Sequence, residues 1–166
     1  MFVVGMMNQS VFLLLGTNMG DRRKNLADAL WAIEARAGMI RKRSAIYETA
    51  PWGKADQSLF YNQVIQIATF LKPKNLLDQL LSIEKTMGRL RNEKWGERII
   101  DIDILFYGDE VIESDTITIP HPQLPYRRFA LIPLAEIADD FIHPSMFQTI
   151  HELLKNCPDI LEVKKV

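Results

Sequence analysis

Apolar positions change their period along this chain of 166 residues, and each change marks an element. Val11 to Gly16 is a short continuous apolar run, read as a strand. Residues 16–21, Gly-Thr-Asn-Met-Gly-Asp, form a turn rich in capping residues. The spacing then becomes helical. Leu26, Leu30, Ile33 and Ala37 recur on one face, and Gly38 stops the helix. Ile40 to Thr49 reads as a strand from its β-branched and aromatic residues. Residues 50–57, Ala-Pro-Trp-Gly-Lys-Ala-Asp-Gln, are a loop by their Pro, Gly and Asp content. Asn62 to Leu71 is a further strand with Val64, Ile65 and Ile67 as its apolar part. Pro73 opens a second helix at a first helical position. Its core face carries Leu76, Leu77, Leu80, Ile83 and Met87, and Gly88 ends it.

A loop from Arg89 to Glu97 leads into the next strand, Arg98 to Tyr107, bounded by Gly108. Short strands follow near Glu110–Ile112 and Thr116–Ile119, then the turn Pro120-His121-Pro122. A helical stretch, Phe129 to Ala138, and a terminal helix near Phe147–Asn156 complete the chain. The order β-α-β-β-α-β predicts an α+β, ferredoxin-like fold: a mainly antiparallel sheet flanked by helices, with a C-terminal elaboration. The length fits one domain over residues 1–166. Residues 1–9 read as a loose N-terminal extension, or Met6 or Met7 as an alternative start.

The strand before Gly108 breaks its own pattern. Side chains alternate between the faces of a strand, so Ile100, Ile102 and Ile104 share one face, and Asp101 and Asp103 the other. Carboxylates inside an apolar strand are costly to bury unless paired or metal-bound. Two positions apart, their Cα atoms are roughly 6–7 Å from each other, close enough to converge on one hard cation or a pair. Mg²⁺ is typically held by one or two carboxylates together with substrate phosphates. The plainer reading puts both Asp on the solvated face of an edge strand. The flanks favour the metal: Arg89, Arg91, Lys94 and Arg98 crowd the approach, and guanidinium groups beside metal carboxylates suit phosphoryl transfer.

Composition changes this picture little. The chain is 48% hydrophobic and 25% charged with a net charge of −1, so no global basic field points to nucleic acid. The single cysteine, Cys157, makes no internal disulfide and has no zinc-ligand spacing around it; it reads as a half-buried residue of the last helix. The N-terminus lacks a basic signal-peptide region, and no apolar run reaches membrane-spanning length. These features predict a cytoplasmic protein, with neither membrane nor nucleic acid as partner.

Other constellations are weaker alone. The loop from Gly88 to Gly96 suits a mobile lid that brings Arg89 and Arg91 onto phosphates, though an ordinary charged loop has the same composition. Phe60 and Asn62 share a strand face, where a ring could stack on a flat heteroaromatic ligand and an amide read its edge. Taken alone, such a pair is more often a core Phe and a strand-end Asn. His121 is fixed between two prolines, which suits a phosphate or nucleotide contact. His143 and His151 lack such context and read as surface or packing residues. Arg127, Arg128 and Phe129 put cations beside an aromatic at a helix start.

Together these segments resemble a known family. Residues 94–105, Lys-Trp-Gly-Glu-Arg-Ile-Ile-Asp-Ile-Asp-Ile-Leu, match the signature of the 6-hydroxymethyl-7,8-dihydropterin pyrophosphokinases of folate synthesis. The likeness runs from about Val11 through Gly16-Thr17-Asn18, Tyr47 to Gly53, Asp56 to Asn62, Gly88-Arg89, Ile119 to Pro122 and Arg127 to Ala138. It implies transfer of the terminal diphosphate of ATP to the pterin hydroxymethyl group with release of AMP. Asp101 and Asp103 take the positions that hold two Mg²⁺ ions. Arg89 and Arg91 join them as catalytic residues. Thr49, Pro51, Trp52, Phe60, Asn62, Trp95 and Phe129 fall on pterin positions, with Phe60 and Phe129 sandwiching the ring. Arg89, Arg91, Lys94, Arg98, His121 and Arg127 fall on ATP-facing positions. ATP and the pterin are the implied partners, and the protein is expected to be a monomer. Two other readings remain open at this level: a Mg²⁺-dependent nucleotidyltransferase, and a ferredoxin-like binding module without chemistry. Against the first, Gly16 lies far upstream of the Asp pair; the second leaves that pair unexplained.

Overall fold

The computed structural model describes residues 8–53, 55–89 and 96–166. In chain order they form β1 (Gln9–Thr17), α1 (Arg22–Arg36), β2 (Met39–Arg43), β3 (Tyr47–Thr49), β4 (Phe60–Thr69), α2 (Pro73–Thr86) and β5 (Asp101–Tyr107). Then come β6 (Ile112–Glu113), β7 (Thr118–Ile119), a 3₁₀ turn (Leu124–Tyr126), α3 (Arg128–Ala138), α4 (Ile150–Lys155) and β8 (Val163–Lys165). The main sheet runs β5-β1-β4-β3-β8, with β2 also on β4, and every pairing is antiparallel. Set aside the added strands and this is the ferredoxin-like arrangement.

The continuous apolar run of β1 has a simple cause: the strand is central and covered on both faces. Val11, Leu13 and Leu15 pack with α1 and α2 through Leu26, Ala29, Ile33, Leu76, Leu80 and Ile83. Phe12 and Leu14 face the opposite layer, formed by Leu131 and Leu134 of α3 and Ile150 and Leu153 of α4. Ile100, Ile102 and Ile104 join the first cluster, so Asp101 and Asp103 share the second face as the alternation requires. A bulge opposite Phe12 and Leu13 then inserts one residue into β5. Leu105 and Phe106 both join the second cluster, and Tyr107 returns to the first.

Several expectations are corrected. Residues 40–49 form two strands, not one. From Arg43 to Tyr47 the chain takes one more step than β4 takes from Ile65 to Asn62. The break is made by side chains that take ladder partners: Ser44 Oγ accepts from the Val64 amide, and Glu136 Oε1 accepts from the Ala45 amide. β1 begins at Gln9, paired to Thr69, earlier than the Val11 start the pattern marks. The last helix begins only at Ile150, behind a capping box of Thr149 and Glu152, and Cys157 lies half-buried just beyond its end. β8 was not expected at all; it adds to the outer edge of β3. Of the two remaining histidines, His143 is buried edge-on to Phe106, and His151 pairs with Asp139 at the surface. No described helix is long and apolar enough to cross a membrane.

Candidate active site

The α3–α4 layer covers only part of its sheet face. Beyond it, the strands carry a row of residues directly opposite one another: Tyr47, Asn62, Gly16 and Asp101, on β3, β4, β1 and β5 in turn. The next row brings Leu14 beside Asp103. Gly16 in the middle decides the shape. An added Cβ there would meet Asn62 Oδ1 at 2.9 Å, so the amide leans over the bare glycine. With strands about 4.8 Å apart, the amide and the Asp101 carboxylate are rooted roughly 10 Å from each other, with an open floor between. The cavity above has a volume of about 490 Å³.

The residues singled out from sequence converge on this cavity. Thr49, Trp52, Phe60, Asn62 and Phe129 line it at one end and Arg89, Asp101, Asp103 and His121 at the other, while Arg98 and Arg127 lie between, near both rings and carboxylates. Pro51 belongs to the same loop, but its neighbours Ala50 and Trp52 provide the lining. Arg91, Lys94 and Trp95 lie outside the described residues.

At the aromatic end, Asn62 is buried and donates to Thr49 Oγ1 at 2.7 Å, which fixes the plane of its amide. The Arg127 guanidinium lies 5.1 Å from the Trp52 ring and 5.8 Å from the Phe129 ring, and Arg98 lies 5.4 Å from Phe60. At these distances the guanidinium groups lie within cation–π reach of the rings.

The carboxylate end is built from the close of α2. Gly88, at φ 92°, takes the left-handed conformation that ends a helix without steric penalty. The Arg89 amide then reaches back to the Glu84 carbonyl at 3.0 Å and the Gly88 amide to that of Lys85 at 3.0 Å, a Schellman cap. This returns Arg89 over Glu84. Arg89 Nη1 sits 2.7 Å from Glu84 Oε1 and 2.5 Å from Asp101 Oδ1. Arg98 Nη1 holds Asp101 Oδ2 at 2.9 Å. Glu84 also accepts from the Ile102 amide at 2.8 Å, tying helix to strand. Burial works against the charge of Arg89, but Asp101 and Glu84 outweigh it and raise its pKa.

Asp103 is different. Burial first, and the neighbouring Asp101 second, push its carboxyl up to about 7, against the opposing pull of Arg127 and Arg89. His121 is held down to about 4, by burial and then by Arg127, so its ring is neutral near pH 7. Its Nδ1 accepts from the Gln123 amide at 3.2 Å, which leaves the proton on Nε2 as a donor. Arg127 and Arg98 each carry a buried Nε without a hydrogen-bond partner. The site thus gathers donors for an anion around two carboxylates suited to a cation.

A family model described as 7,8-dihydro-6-hydroxymethylpterin-pyrophosphokinase (HPPK) matches residues 12–139. The chain belongs to the HPPK family. It is 39% identical over 156 residues to the 2-amino-4-hydroxy-6-hydroxymethyldihydropteridine pyrophosphokinase of Haemophilus influenzae, covering 93% of this chain and 97% of that protein. To the Bacillus subtilis protein of the same name it is 42% identical over 132 residues, 79% of either chain. A folic acid synthesis protein of Dictyostelium discoideum is 38% identical over 152 residues, covering 92% of this chain; this HPPK-family chain spans only 23% of that longer protein. Among solved structures, a Plasmodium falciparum HPPK-DHPS matches with a TM-score of 0.72 and 22% identity, over 89% of this chain and 45% of that one. At that identity the likeness is one of fold.

Two residues that sequence reasoning left without a role prove central. Glu84 has nothing in its own helix to single it out, yet it is buried and carries Arg89. Its signal was the Glu-x-x-x-Gly-Arg spacing, which a Schellman cap turns into a contact. Asn18, which falls in a turn and within the family likeness but with no role assigned, is buried too.

Proposed function

We propose that residues 1–166 act as one pyrophosphokinase unit, which transfers the β,γ-diphosphate of ATP to the hydroxyl of 6-hydroxymethyl-7,8-dihydropterin and releases AMP. The observation that carries this reading is the row Asn62–Gly16–Asp101. It sets an amide that can read a heterocycle edge one open glycine away from a carboxylate suited to a phosphate-bound metal. Phe60 and Phe129 take the two faces of the pterin, Asn62 and Thr49 its edge, and Pro51 and Trp52 belong to the loop beside it; Trp95 is assigned to the pterin by its aromatic character alone.

The donor set fits Mg²⁺. Asp101 and Asp103 offer oxygen ligands only, and no group of three or more His, Cys, Asp or Glu suited to a metal occurs among the described residues. Two carboxylates leave coordination positions for phosphate oxygens, the arrangement typical of Mg²⁺ with a nucleotide. When bound, two Mg²⁺ ions would neutralise the polyphosphate and polarise its bridging oxygens.

The chain's own groups do the rest. Arg89, Arg98 and Arg127 face the phosphates as cations, His121 donates from Nε2, and Arg91 and Lys94 are assigned to the same phosphates by their charge alone. The pterin hydroxyl oxygen bonds to the β-phosphorus as the bond from that phosphorus to the α–β bridging oxygen breaks. AMP leaves with that oxygen, and the hydroxyl proton passes to water or to the AMP phosphate. Positioning of both substrates and stabilisation of the developing charge supply most of the acceleration. We place the protein in the cytoplasm, as a monomer.

The test is product identity. With ATP, Mg²⁺ and the dihydropterin, AMP and the pterin diphosphate should appear in equal amounts; ADP, or no AMP, overturns the reading. A narrower check is Gly16→Ala. Its Cβ displaces the Asn62 amide, so KM for the pterin should rise roughly ten-fold with KM for ATP little changed. An equal loss for both substrates would contradict the assigned floor.

A further inference from the structure

Asn18 lies in the turn between β1 and α1 and does not line the cavity, but it joins the two ends of the site. Its Nδ2 donates to Gln57 Oε1 at 3.1 Å and to the Ser58 carbonyl at 3.2 Å. Its Oδ1 accepts from the Arg98 amide at 2.9 Å, and its own amide donates to the Arg98 carbonyl at 3.1 Å. Gln57 and Ser58 close the loop that delivers Phe60 and Asn62. Arg98 opens the segment that delivers Asp101 and pairs with it. Two donors and an acceptor on one short planar group are what an amide alone provides.

Arg22, in the first turn of α1, gives a contrast. Its Nη1 holds the Leu59 carbonyl at 2.8 Å and Glu48 at 3.1 Å, and its guanidinium lies 3.7 Å from the Tyr61 ring. These contacts fasten the two feet of the Phe60 loop, and none of these three reaches Arg98.

We propose that Asn18 is a positioning residue that couples the two substrate sides. Nucleotide phosphates that order Arg98 also order, through the Asn18 amide, the loop carrying Phe60 and Asn62, and a bound pterin acts in the reverse direction. This rests on the pyrophosphokinase reading. Coupling between sites is reciprocal, so it can be measured from the pterin side alone.

The probe is the fluorescence of 6-hydroxymethylpterin, titrated with and without α,β-methylene-ATP and Mg²⁺; the methylene bridge blocks cleavage. The wild-type chain should bind the pterin at least about ten-fold tighter with the analogue. In Asn18→Ala this factor should fall below about three. In Arg22→Gln, pterin binding should weaken by the same factor in both conditions, leaving the ratio intact. Asn18→Asp keeps an oxygen for the Arg98 amide but loses the donors. It should also lose the coupling, while retaining more turnover at saturation than Asn18→Ala. A folded Asn18 variant with the wild-type ratio overturns the proposal, as does a wild-type ratio near one. If the wild-type chain releases no AMP from ATP and the dihydropterin, the pyrophosphokinase reading fails and this one with it. AMP release with coupling untouched in the Asn18 variants removes the Asn18 role alone.

Discussion

Asp103→Asn should abolish turnover, by on the order of a thousand-fold, and at the same time make the protein harder to unfold in EDTA at pH 8. The two effects have one origin. Burial, then Asp101, raise the Asp103 carboxyl to about 7 in the folded chain, against about 3.9 in an unfolded one. Between those values the folded state binds more protons than the unfolded state. Stability therefore falls as pH rises from about 4 through about 7, and stays lower above that. The linked loss by pH 8 is on the order of a few kcal/mol. Asparagine carries no charge to bury and escapes it. Urea unfolding in EDTA at pH 4.5, 6 and 8 gives the comparison: the variant's advantage should grow with pH. Adding Mg²⁺ and ATP should then stabilise the wild-type chain and not the variant. A variant less stable than wild type at pH 8 would contradict the account of Asp103 as a carboxylate kept for a cation.

The second large effect concerns Arg89. Arg89→Met removes the guanidinium that neutralises the buried Glu84 carboxylate, and should cost about 3 kcal/mol of stability together with nearly all activity. Glu84→Gln added to Arg89→Met should restore most of the stability, because the glutamine oxygen can still accept from the Ile102 amide. It should restore none of the turnover. Denaturant midpoints and AMP release on the single and double variants separate the two roles of Arg89. If the double variant stays as unstable as the single, Glu84 is not the reason for the loss. If turnover returns, Arg89 is not needed at the phosphates.

Much of the site was legible because its residues break local rules. Asp101 and Asp103 interrupt an apolar strand, so period-two alternation alone places them on one face away from Ile100, Ile102 and Ile104. His121 is marked by its flanking prolines and Phe60–Asn62 by strand spacing. What could not be read was any contact made by a residue that looks ordinary in its own element. Glu84 matches the polar background of a helix. Asn18 matches a turn. β8 is three residues long and rich in lysine, and becomes a strand only because the β3 edge accepts it. Residues 40–49 have strand composition throughout, and their break comes from Ser44 and Glu136, the second of them far away in sequence.

The sequence by itself determined the βαββαβ order, the faces of the strands and the kinds of side chain available for phosphate, metal and heterocycle, because these follow from periodicity and chemical type. Only the tertiary structure decided how those side chains meet. It set β1 between β4 and β5, so that Gly16 becomes the open floor between Asn62 and Asp101. It folded the end of α2 so that a glycine cap lays Arg89 across Glu84 and Asp101. It also set the half-buried Asp103 carboxyl beside that of Asp101, which changes its charge behaviour in a way that no count of residues expresses. Register, helix caps and burial depend on what packs against each element, and that is fixed by the whole chain at once.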